Sequence, residues 1–395
     1  MIPLSPKLNC KEKLINFTIP KEKLEMAVKQ AVSKIDIAID DFAGRFPSPA
    51  STNNIYRPIN NDNGWGNGFW TGILWHAYEL TGNEKYKRTA LSHIPSFTKR
   101  ITEKLGVDHH DMGFLYTPSC VAAYKLTGND EAKRTALMAA DHLITRFHEK
   151  AGFIQAWGSV NEPDSFRLII DCLLNIPLLY WASEVTGDEK YESIAYTHFK
   201  TTAEVCCRAD ASTYHTYYFD PESGSPLKGV THQGASDSSA WARGQAWGIY
   251  GPMLTYIYKK DEKCLSLFRA TANYFLNNLP SDMVPYWDLS FSDGSPEPRD
   301  SSSAAIAAAG MLEAVKHLDK NSDEHSVYWG AANKMINSLI DSYTTENIPE
   351  SNGLLLHAVY SKPHGKGVDE MNIWGDYFYM ECLHRLLDPD MRLYW

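Results

Sequence analysis

A run of four polar residues, Asp108-His109-His110-Asp111, is the segment whose residue types are best suited to chemistry. Histidine and aspartate act as metal ligands and as general acids and bases. Four consecutive residues do not readily converge on one ion, and the sequence contains no HExxH motif, no CxxC motif and no Asp-rich cation loop. The segment therefore favours acid–base chemistry, and we expect no metal site.

A second aspartate, Asp171, lies in the apolar run RLIIDCLLNIPLLYW. Burial of an ionised carboxylate among apolar side chains is costly. Asp171 is therefore either a hydrogen-bonded structural group or an acid whose pKa is raised by desolvation, and the sequence leaves both interpretations open. If Asp111 lies beside it, Asp171 becomes a candidate general acid that is held by an ionised partner.

A third polar cluster lies in THQGASDSSAWARGQAWG, residues 231–248. Its Arg243 is either a clamp for a carboxylate of the ligand or half of an ordinary ion pair. The chain also has 11 Trp and 22 Tyr, several of them beside polar residues, which is typical of sites that hold sugar rings. No G-x-S-x-G elbow supports serine catalysis, and RDSSSAA (299–305) is interpreted as a helix N-cap.

Three similar segments indicate how these residues are positioned: TGNEKY (81–86), TGNDEA (127–132) and TGDEKY (186–191). Each follows an apolar, aromatic-rich stretch and precedes a second helical stretch. Thr-Gly-Asn/Asp is typical of a helix C-cap, a turn and the N-cap of the next helix. The sequence therefore predicts inner helices that are apolar nearly all round, each followed by an outer helix.

Further inner helices are predicted at 241–258, 301–318 and 373–387, and the last is expected to pair with an N-terminal helix near 24–44. About six such pairs predict an all-α fold, an (α/α)6 barrel, with short rim hairpins at 212–227 and 353–367. We expect one catalytic domain over 1–395, with 1–22 as an N-terminal extension. The polar residues at the starts of the inner helices, with Asp111 and Asp171 among them, would then surround one pocket.

The overall composition restricts the possible partners. A formal net charge of −10 gives no electrostatic case for nucleic acid or an anionic membrane, and no apolar run is long enough to span a bilayer. The N-terminus lacks the apolar region of a signal peptide, and the seven cysteines show no CxxC spacing. These features predict a cytoplasmic protein with reduced thiols. We expect a monomer or a weak homo-oligomer, although none of these features determines the oligomeric state.

Six motifs occur in an order that resembles glycoside hydrolase family 88, the unsaturated glucuronyl hydrolases. They are NGWGNGFWTG, DHHDMGFLYTPS, IIDCLLNIPLLYWA, SSAWARGQAWGIYG, YWDL with PRDSSSAA, and NIWGDYFYMECL. The likeness extends from about residue 40 to the C-terminus, and it is strongest to bacterial cytoplasmic members that act on glycosaminoglycan disaccharides. It implies an (α/α)6 barrel, in agreement with the helix pairs.

The resemblance also implies a reaction. The substrate is the 4,5-unsaturated uronic acid that polysaccharide lyases leave at a non-reducing end. Hydration of its C4=C5 vinyl ether gives a hemiketal, which opens and releases the next sugar without a metal or organic cofactor. The alternatives are an unsaturated rhamnogalacturonyl hydrolase, an (α/α)6 sugar epimerase or a non-catalytic sugar-binding protein.

Carried over motif by motif, the resemblance implies that Asp171 is the general acid and base and Asp111 the second essential carboxylate. The positions that match substrate-binding residues of the family are Trp65, His110, Trp157, His215, His232, Gln233, Trp241, Arg243 and Trp247. His232 stands where close relatives carry arginine.

A C-terminal loop of related enzymes contacts a sulfate group through a Ser-x-x-Ser-x-Lys pattern. The matching segment here, YSKPHGKGVDE, keeps Ser361 and Lys366 but has His364 in place of the second serine. The resemblance therefore implies binding of a sulfated second sugar, in an altered form.

Overall fold

The computed structural model describes residues 3, 5–9, 11–160 and 162–395, and it is predominantly helical. The α-helices are α1 (Lys21–Phe42), α2 (Asn67–Thr81), α3 (Glu84–Ser92), α4 (Ile94–Thr102), α5 (Met112–Tyr116), α6 (Ala122–Thr127), α7 (Asp130–Ile144), α8 (Pro177–Thr186), α9 (Glu189–Val205), α10 (Ala242–Lys259), α11 (Glu262–Asn277), α12 (Ser301–Ala314), α13 (Asp323–Ser342) and α14 (Ile373–Leu387). Helices over 242–259 and 373–387 confirm the predicted positions closely.

The Thr-Gly-Asn/Asp segments have the predicted geometry. Gly82, Gly128 and Gly187 follow α2, α6 and α8 and adopt left-handed backbone angles, with φ of 67°, 71° and 74°. The side chain of the next residue in each segment accepts a backbone N–H from the first turn of the following helix. Each segment therefore ends one helix and begins the next within two residues.

Proline divides two of the predicted helices. Pro95 lies at the second position of α4, so the first outer stretch is split into α3 and α4. Pro118 lies in a wide π-helical turn, Thr117–Val121, which separates α5 from α6. Proline lacks a backbone N–H and disrupts the regular hydrogen-bond ladder, which explains both interruptions.

The inner helices contact one another in a continuous sequence. α2 contacts α5, α5 contacts α8, and the contacts continue through α10, α12 and α14 back to α2. Every residue of α12 is buried, and the first thirteen residues of α14 are buried as well. Burial on all faces requires helices that are apolar nearly all round, as the sequence predicts.

The outer helices cover this inner set. α3, α9, α11 and α13 pack on α2, α8, α10 and α12, α7 packs on α5 and the turn that follows it, and α1 packs on α14. The pairing of the last inner helix with the N-terminal helix is therefore confirmed. Within the described residues, no helix is both long and apolar enough to cross a membrane.

Short strands lie between the helices, all antiparallel in their pairing. They are β1 (Phe46–Pro47), β2 (Pro58–Ile59), β3 (Phe147–His148), β4 (Phe153–Ile154), β5 (Arg167–Ile169), β6 (Thr216–Phe219), β7 (Pro226–Val230), β8 (Ala358–Ser361) and β9 (Lys366–Glu370). The pairs β6–β7 and β8–β9 begin in the two segments predicted as hairpins, but β7 and β9 each extend three residues beyond the predicted end. The third strand of the β6 sheet, β5, was not predicted, and it leads directly to Asp171.

The segment before α1 packs on the outer helices. The backbone N–H of Asn9 donates to Asn277 in α11, and that of Ile19 donates to Asn333 in α13. The helix begins at Lys21, close to the predicted end of the N-terminal extension at residue 22. Residues 1, 2, 4 and 10 of that predicted extension lie outside the described residues.

Candidate active site

Asp111 is positioned by contacts between its own segment and residues 156–157. It immediately precedes α5, and the backbone N–H of His110 donates to the carbonyl of Ala156 at 2.6 Å. His109 and Trp157 form an isolated antiparallel bridge beside it. The polar run 108–111 is therefore held against residues 156–157, and Asp111 lines the pocket described below.

Asp171 is positioned by strand β5 and the short 3-10 helix that follows it, Ile170–Leu174. The backbone N–H of Ile170 donates to the carbonyl of His215, so the strand pairing continues to the residue before Asp171. The prediction that Asp171 begins a regular inner helix is wrong, because α8 starts at Pro177. The tighter 3-10 turn nevertheless places the carboxylate in the same pocket as Asp111.

His110 connects the two carboxylates. Its Nε2 lies 3.4 Å from Oδ1 of Asp111 and 3.2 Å from Oδ1 of Asp171. The histidine side chain is only 2% exposed, whereas the aspartate side chains are 15% and 20% exposed. The two acids can therefore be reached from the pocket. The imidazole contacts both of them and is itself almost completely shielded from solvent.

The electrostatic environment makes the two acids different. Burial opposes ionisation of Asp111, but the neighbouring His110 and hydrogen bonds from His109 and Asn175 hold its pKa below the usual value. Burial raises the pKa of Asp171, and the negative charge of Asp111 adds to that rise although His110 opposes it. The pair is thus biased toward an ionised Asp111 and a protonated Asp171.

His110 is biased toward its charged form. Burial alone would lower its pKa, but the negative charges of Asp111 and Asp171 raise it above the usual value. An imidazolium between two carboxyl groups reduces their mutual repulsion, which lets both remain in one small volume.

A pocket of about 560 Å³ opens over the two aspartates, a volume typical of small-molecule sites. Its lining residues are Trp65, His110, Asp111, Trp157, Asp171, His232, Gln233, Trp241, Arg243, Trp247, Tyr360, Ser361, His364 and Lys366. All the residues predicted for the site are brought together there except His215.

His215 lies behind the pocket wall, whereas it was predicted to line the pocket. Its ring is 3% exposed and packs edge-on against Trp241 at 4.8 Å between centroids. Burial lowers the pKa of His215 well below the usual value, and its Nδ1 is within hydrogen-bond distance of the Thr216 hydroxyl. It is therefore a neutral supporting group that contacts the pocket only through its neighbours.

Trp65 forms part of an aromatic wall. Its ring stacks on Trp374 with centroids 4.6 Å apart, and its Nε1 donates to the hydroxyl of Tyr360 at 2.8 Å. One face of the indole is thus covered and its orientation is fixed. The remaining aromatic surface faces the pocket, an arrangement suited to a flat apolar sugar face.

Arg243 is engaged by protein acceptors. Its guanidinium donates to Oε1 of Gln233 and to the carbonyl of Tyr360, both at 2.7 Å, and to the carbonyl of Val359. It also lies 3.5 Å from buried Asp300. Of the two interpretations left open by the sequence, the ion pair is the one observed, and Arg243 joins the β8–β9 hairpin to α10.

Asp300 precedes α12 as predicted, but its carboxylate does not cap the helix backbone. It accepts hydrogen bonds from the hydroxyls of Ser302 and Ser303 and faces Arg243. The competing bonds explain why the predicted N-cap interaction is not formed.

The β8–β9 hairpin forms one side of the pocket. Ser361 Oγ and His364 Nδ1 are 2.7 Å apart, and Lys366 Nζ lies 4.0 Å from the centroid of the Tyr360 ring. His232 lies across from them beside Trp157, with ring centroids 5.8 Å apart. The pocket lining therefore includes Lys366 and two histidines, His232 and His364, in addition to the two aspartates.

The side chains of His110, Asp111 and Asp171 are also a group that could hold a metal ion. Atoms of His110, Asp111 and Asp171 lie within 4.8 Å of one another, so the third ligand-capable group comes from a distant segment and not from residues 108 and 109. Direct contacts of 3.2 and 3.4 Å between the imidazole and the carboxylates are hydrogen-bond distances. The set therefore fits the sharing of protons, and the expected lack of a metal stays a prediction.

Tyr360 was missed by sequence reasoning, although it lies next to Ser361 in a segment that had been singled out. Asn175 was also missed, and one signal could have indicated it. It is the other polar residue in the apolar run around Asp171 and lies one helical turn after it.

Two carboxyl groups among aromatic rings, surrounded by paired helices, define a class of site that acts on sugars. A family model described as Glycosyl Hydrolase Family 88 matches residues 38–386. The match covers most of the sequence, and the chain therefore belongs to Glycosyl Hydrolase Family 88.

Similar proteins and structures agree with this assignment. The chain is 50% identical over 387 residues to the unsaturated chondroitin disaccharide hydrolase of Streptococcus agalactiae, covering 98% of this chain and 97% of that one. It is 40% identical over 363 residues to the unsaturated glucuronyl hydrolase of Bacillus sp. strain GL1, covering 92% and 96%. A crystal structure of unsaturated glucuronyl hydrolase from S. agalactiae superposes with a TM-score of 0.97 at 48% identity, covering 100% of this chain and 99% of that one.

A further solved structure contains a ligand. It is an aspartate-to-asparagine variant of the S. agalactiae enzyme in complex with dGlcA-GalNAc6S, with a TM-score of 0.90 and 45% identity over the full length of both chains.

Proposed function

We propose that this chain releases 4,5-unsaturated glucuronic acid from the disaccharides that lyases produce from glycosaminoglycans, such as hyaluronan and chondroitin. The observation that carries the proposal is the pairing of Asp111 and Asp171 through His110 beneath an aromatic pocket. The names of the similar hydrolases and the disaccharide in the S. agalactiae complex support this class of substrate.

The reaction begins with protonation of the double bond. Protonated Asp171 gives its proton to C4 of the C4=C5 bond, and the positive charge that develops at C5 is shared with the ring oxygen. Ionised Asp111 stabilises this charge, and water adds at C5 while returning a proton to Asp171. One molecule of water has then been added, and both acids have their starting protonation states.

The product of hydration breaks down spontaneously, without further catalysis. The hemiketal at C5 opens to a ketone, which leaves a hemiacetal at C1. That hemiacetal collapses to an aldehyde and expels the second sugar as an alcohol. The steps involve no change of redox state, so two carboxyl groups and a water molecule are sufficient.

The other pocket residues are assigned to binding. Trp65 is the proposed platform for the unsaturated ring, and Trp157, Trp241 and Trp247 complete the aromatic surface around it. His110, His232 and Gln233 supply polar contacts, while Arg243 acts by holding Gln233 and the hairpin. His215 is assigned a supporting role behind His232 and Trp241.

The spacing of substituted residues in the S. agalactiae enzyme supports these assignments. Its two separate aspartate-to-asparagine variants are the same number of residues apart as Asp111 and Asp171. A lysine-to-serine change in one of them lies as far along the chain as Lys366 does from Asp111. We infer that Lys366, with Ser361, contacts the second sugar and its sulfate group.

The helix contacts support an (α/α)6 barrel in which α1 completes the sixth pair. We propose that residues 1–395 form one catalytic unit. The monomeric or weakly associated state, the absence of nucleic-acid and membrane partners and the cytoplasmic location stay predictions from the sequence.

The proposal is tested with purified protein and a panel of unsaturated disaccharides from chondroitin, hyaluronan and rhamnogalacturonan. Loss of the near-ultraviolet absorbance of the conjugated enol ether, with release of the second sugar in equal amounts, is expected for the first two. Turnover of only the rhamnogalacturonan disaccharide would favour the pectin-directed alternative. Conversion without a change in substrate mass would indicate an epimerase, and binding without any product would indicate a sugar-binding protein.

A further inference from the structure

Asn175 is a buried amide whose position links the two aspartates. It follows the 3-10 helix that carries Asp171 and is inaccessible to solvent. It does not line the pocket. A buried polar side chain is usually hydrogen-bonded, and the partners of Asn175 are the backbone of Phe114 and atoms of Asp111 and Asp171.

The orientation of the Asn175 amide is fixed by a backbone donor. The N–H of Phe114 points at the side chain at 2.8 Å, so the atom facing it must be the acceptor Oδ1. The NH₂ group is then directed to the other side. It donates to Oδ1 of Asp111 at 3.4 Å and to the backbone carbonyl of Asp171 at 3.2 Å.

The backbones at this point are in close contact. A Cβ atom on Gly113 would lie 2.3 Å from Cα of Asn175, so only glycine allows α5 to begin against that residue. The close contact between Gly113 and Asn175 therefore constrains the position of Asp111 relative to Asp171. The amide spans this junction and contacts both sides.

The amide of Asn175 forms different hydrogen bonds with the two aspartates. Asp111 accepts an N–H from Asn175, whereas Asp171 offers the amide only its backbone carbonyl. A donor directed at a carboxylate stabilises its ionised form. His110 contacts both acids at similar distances, so it contributes little to the difference between them.

We propose that Asn175 is a positioning residue that keeps Asp111 ionised and so leaves the proton of the pair on Asp171. This inference rests on the proposed function only in the use made of that proton. The other titratable or charged groups around the two acids are His109, His110, Arg100, Arg146, Cys172, His198, Cys206, His215 and Arg243. Of these groups, His109 also contacts Asp111 alone, with Nδ1 3.2 Å from Oδ2 of that carboxylate, so Asn175 and His109 act on Asp111 in the same direction.

The direct test is a carbon-13 NMR titration of the aspartate carboxyl groups in the resting protein, with Asp111→Asn and Asp171→Asn used to assign signals. In the unsubstituted protein Asp111 is expected to ionise at lower pH than Asp171. In Asn175→Ala, which cannot donate, the midpoint of Asp111 is expected to rise by about one pH unit. Asn175→Asp retains the acceptor for Phe114, and its added negative charge is expected to raise the midpoint further.

A matched control is Asn333→Asp, because Asn333 is also buried and hydrogen-bonded to backbone groups but lies in α13. It is expected to lower thermal stability and leave both midpoints unchanged. Folded Asn175 variants in which the Asp111 midpoint stays in place would overturn the inference. Because the titration requires no turnover, failure of the proposed reaction would leave this result interpretable.

The same variants provide a kinetic readout. If the protein hydrates unsaturated disaccharides, the acid limb of the plot of kcat/KM against pH is expected to move to higher pH. The shift should equal the shift of the Asp111 midpoint in the titration. A purely structural role would lower activity equally at all pH values, and that outcome would contradict the positioning role.

Discussion

Nε2 of His110 lies 3.2 Å from Oδ1 of Asp171, and the imidazole is almost completely buried. A buried histidine in contact with an acid is a means of tuning the proton affinity of that acid. The contact stabilises the ionised carboxylate, while burial and the nearby Asp111 favour the protonated form. The protonation state of Asp171 is therefore a balance that individual substitutions can shift.

The first prediction concerns His110→Gln, which removes the positive charge between the acids. That charge lowers the pKa of both Asp111 and Asp171, so both values are expected to rise when it is lost. The acid limb of kcat/KM reflects protonation of Asp111, and the basic limb reflects loss of the proton from Asp171. Both limbs are expected to move to higher pH by about one unit.

His142→Gln is the control, since His142 binds the carbonyl of Val107 and does not line the pocket. Its pH profile is expected to match that of the unsubstituted protein. Movement of the His110→Gln limbs to lower pH would contradict the assigned signs.

The second prediction concerns the aromatic platform. Trp65→Ala is expected to raise KM about tenfold with a smaller change in kcat, because stacking acts on the bound sugar before and during the reaction. Tyr360→Phe keeps the neighbouring ring but removes the acceptor of the Trp65 N–H, and a smaller rise in KM is expected. Steady-state kinetics with an unsaturated disaccharide provide the measurement; an unchanged KM for Trp65→Ala would argue against the platform.

The third prediction concerns the second sugar. Lys366→Met is expected to reduce the preference for a sulfated over an unsulfated disaccharide by about fivefold, the scale of one exposed charge contact. Lys362→Met is a matched control, because Lys362 lies in the same hairpin near Glu297 and outside the pocket. Equal effects of the two substitutions, or a preference for unsulfated substrate before any substitution, would remove the assigned contact between Lys366 and sulfate.

The fourth prediction concerns the junction beneath the acids. Gly113→Ala places a methyl group 2.3 Å from Cα of Asn175, and the backbone must separate to accept it. Activity is expected to fall by at least about a hundredfold, since small displacements of paired catalytic groups have effects of this size.

Gly128→Ala is the control for Gly113→Ala. Its Cβ meets nothing within 4 Å, so only the cost of a left-handed backbone, about 1 kcal/mol, is expected. Circular dichroism and thermal melting separate the two effects, and an active, well-folded Gly113→Ala protein would contradict the prediction.

The helix pairs and the location of the site were accessible from sequence because they depend on local signals. The Thr-Gly-Asn/Asp segments combine a left-handed glycine with a side-chain cap, and the structure has both features at Gly82 and Asn83. The mostly apolar segment 301–318 likewise predicted a buried inner helix, and α12 occupies 301–314 of it. These signals require no knowledge of distant contacts.

The details of the site depend on contacts between distant segments, which a single sequence does not reveal. The 3-10 geometry at Asp171 follows from pairing of β5 with β6, whose residues lie about fifty positions later. Two of the acceptors for Arg243 are the backbone carbonyls of Val359 and Tyr360, and any residue type can supply a backbone carbonyl. His215 was expected to line the pocket because it matches a substrate-binding position of the family, but its burial behind Trp241 is a tertiary feature.

The central claim is that Asp171 supplies the proton that begins hydration of the double bond. The most direct measurement compares the unsubstituted protein with Asp171→Asn, recording both disaccharide affinity and the rate of absorbance loss. Asp108→Asn, a carboxylate of the same region outside the pocket, is the control with near-normal activity. Asp171→Asn is expected to bind the disaccharide with affinity within about threefold of normal and to lose about a thousandfold or more in rate. A folded Asp171→Asn protein that retains a tenth or more of the normal rate would contradict the claim.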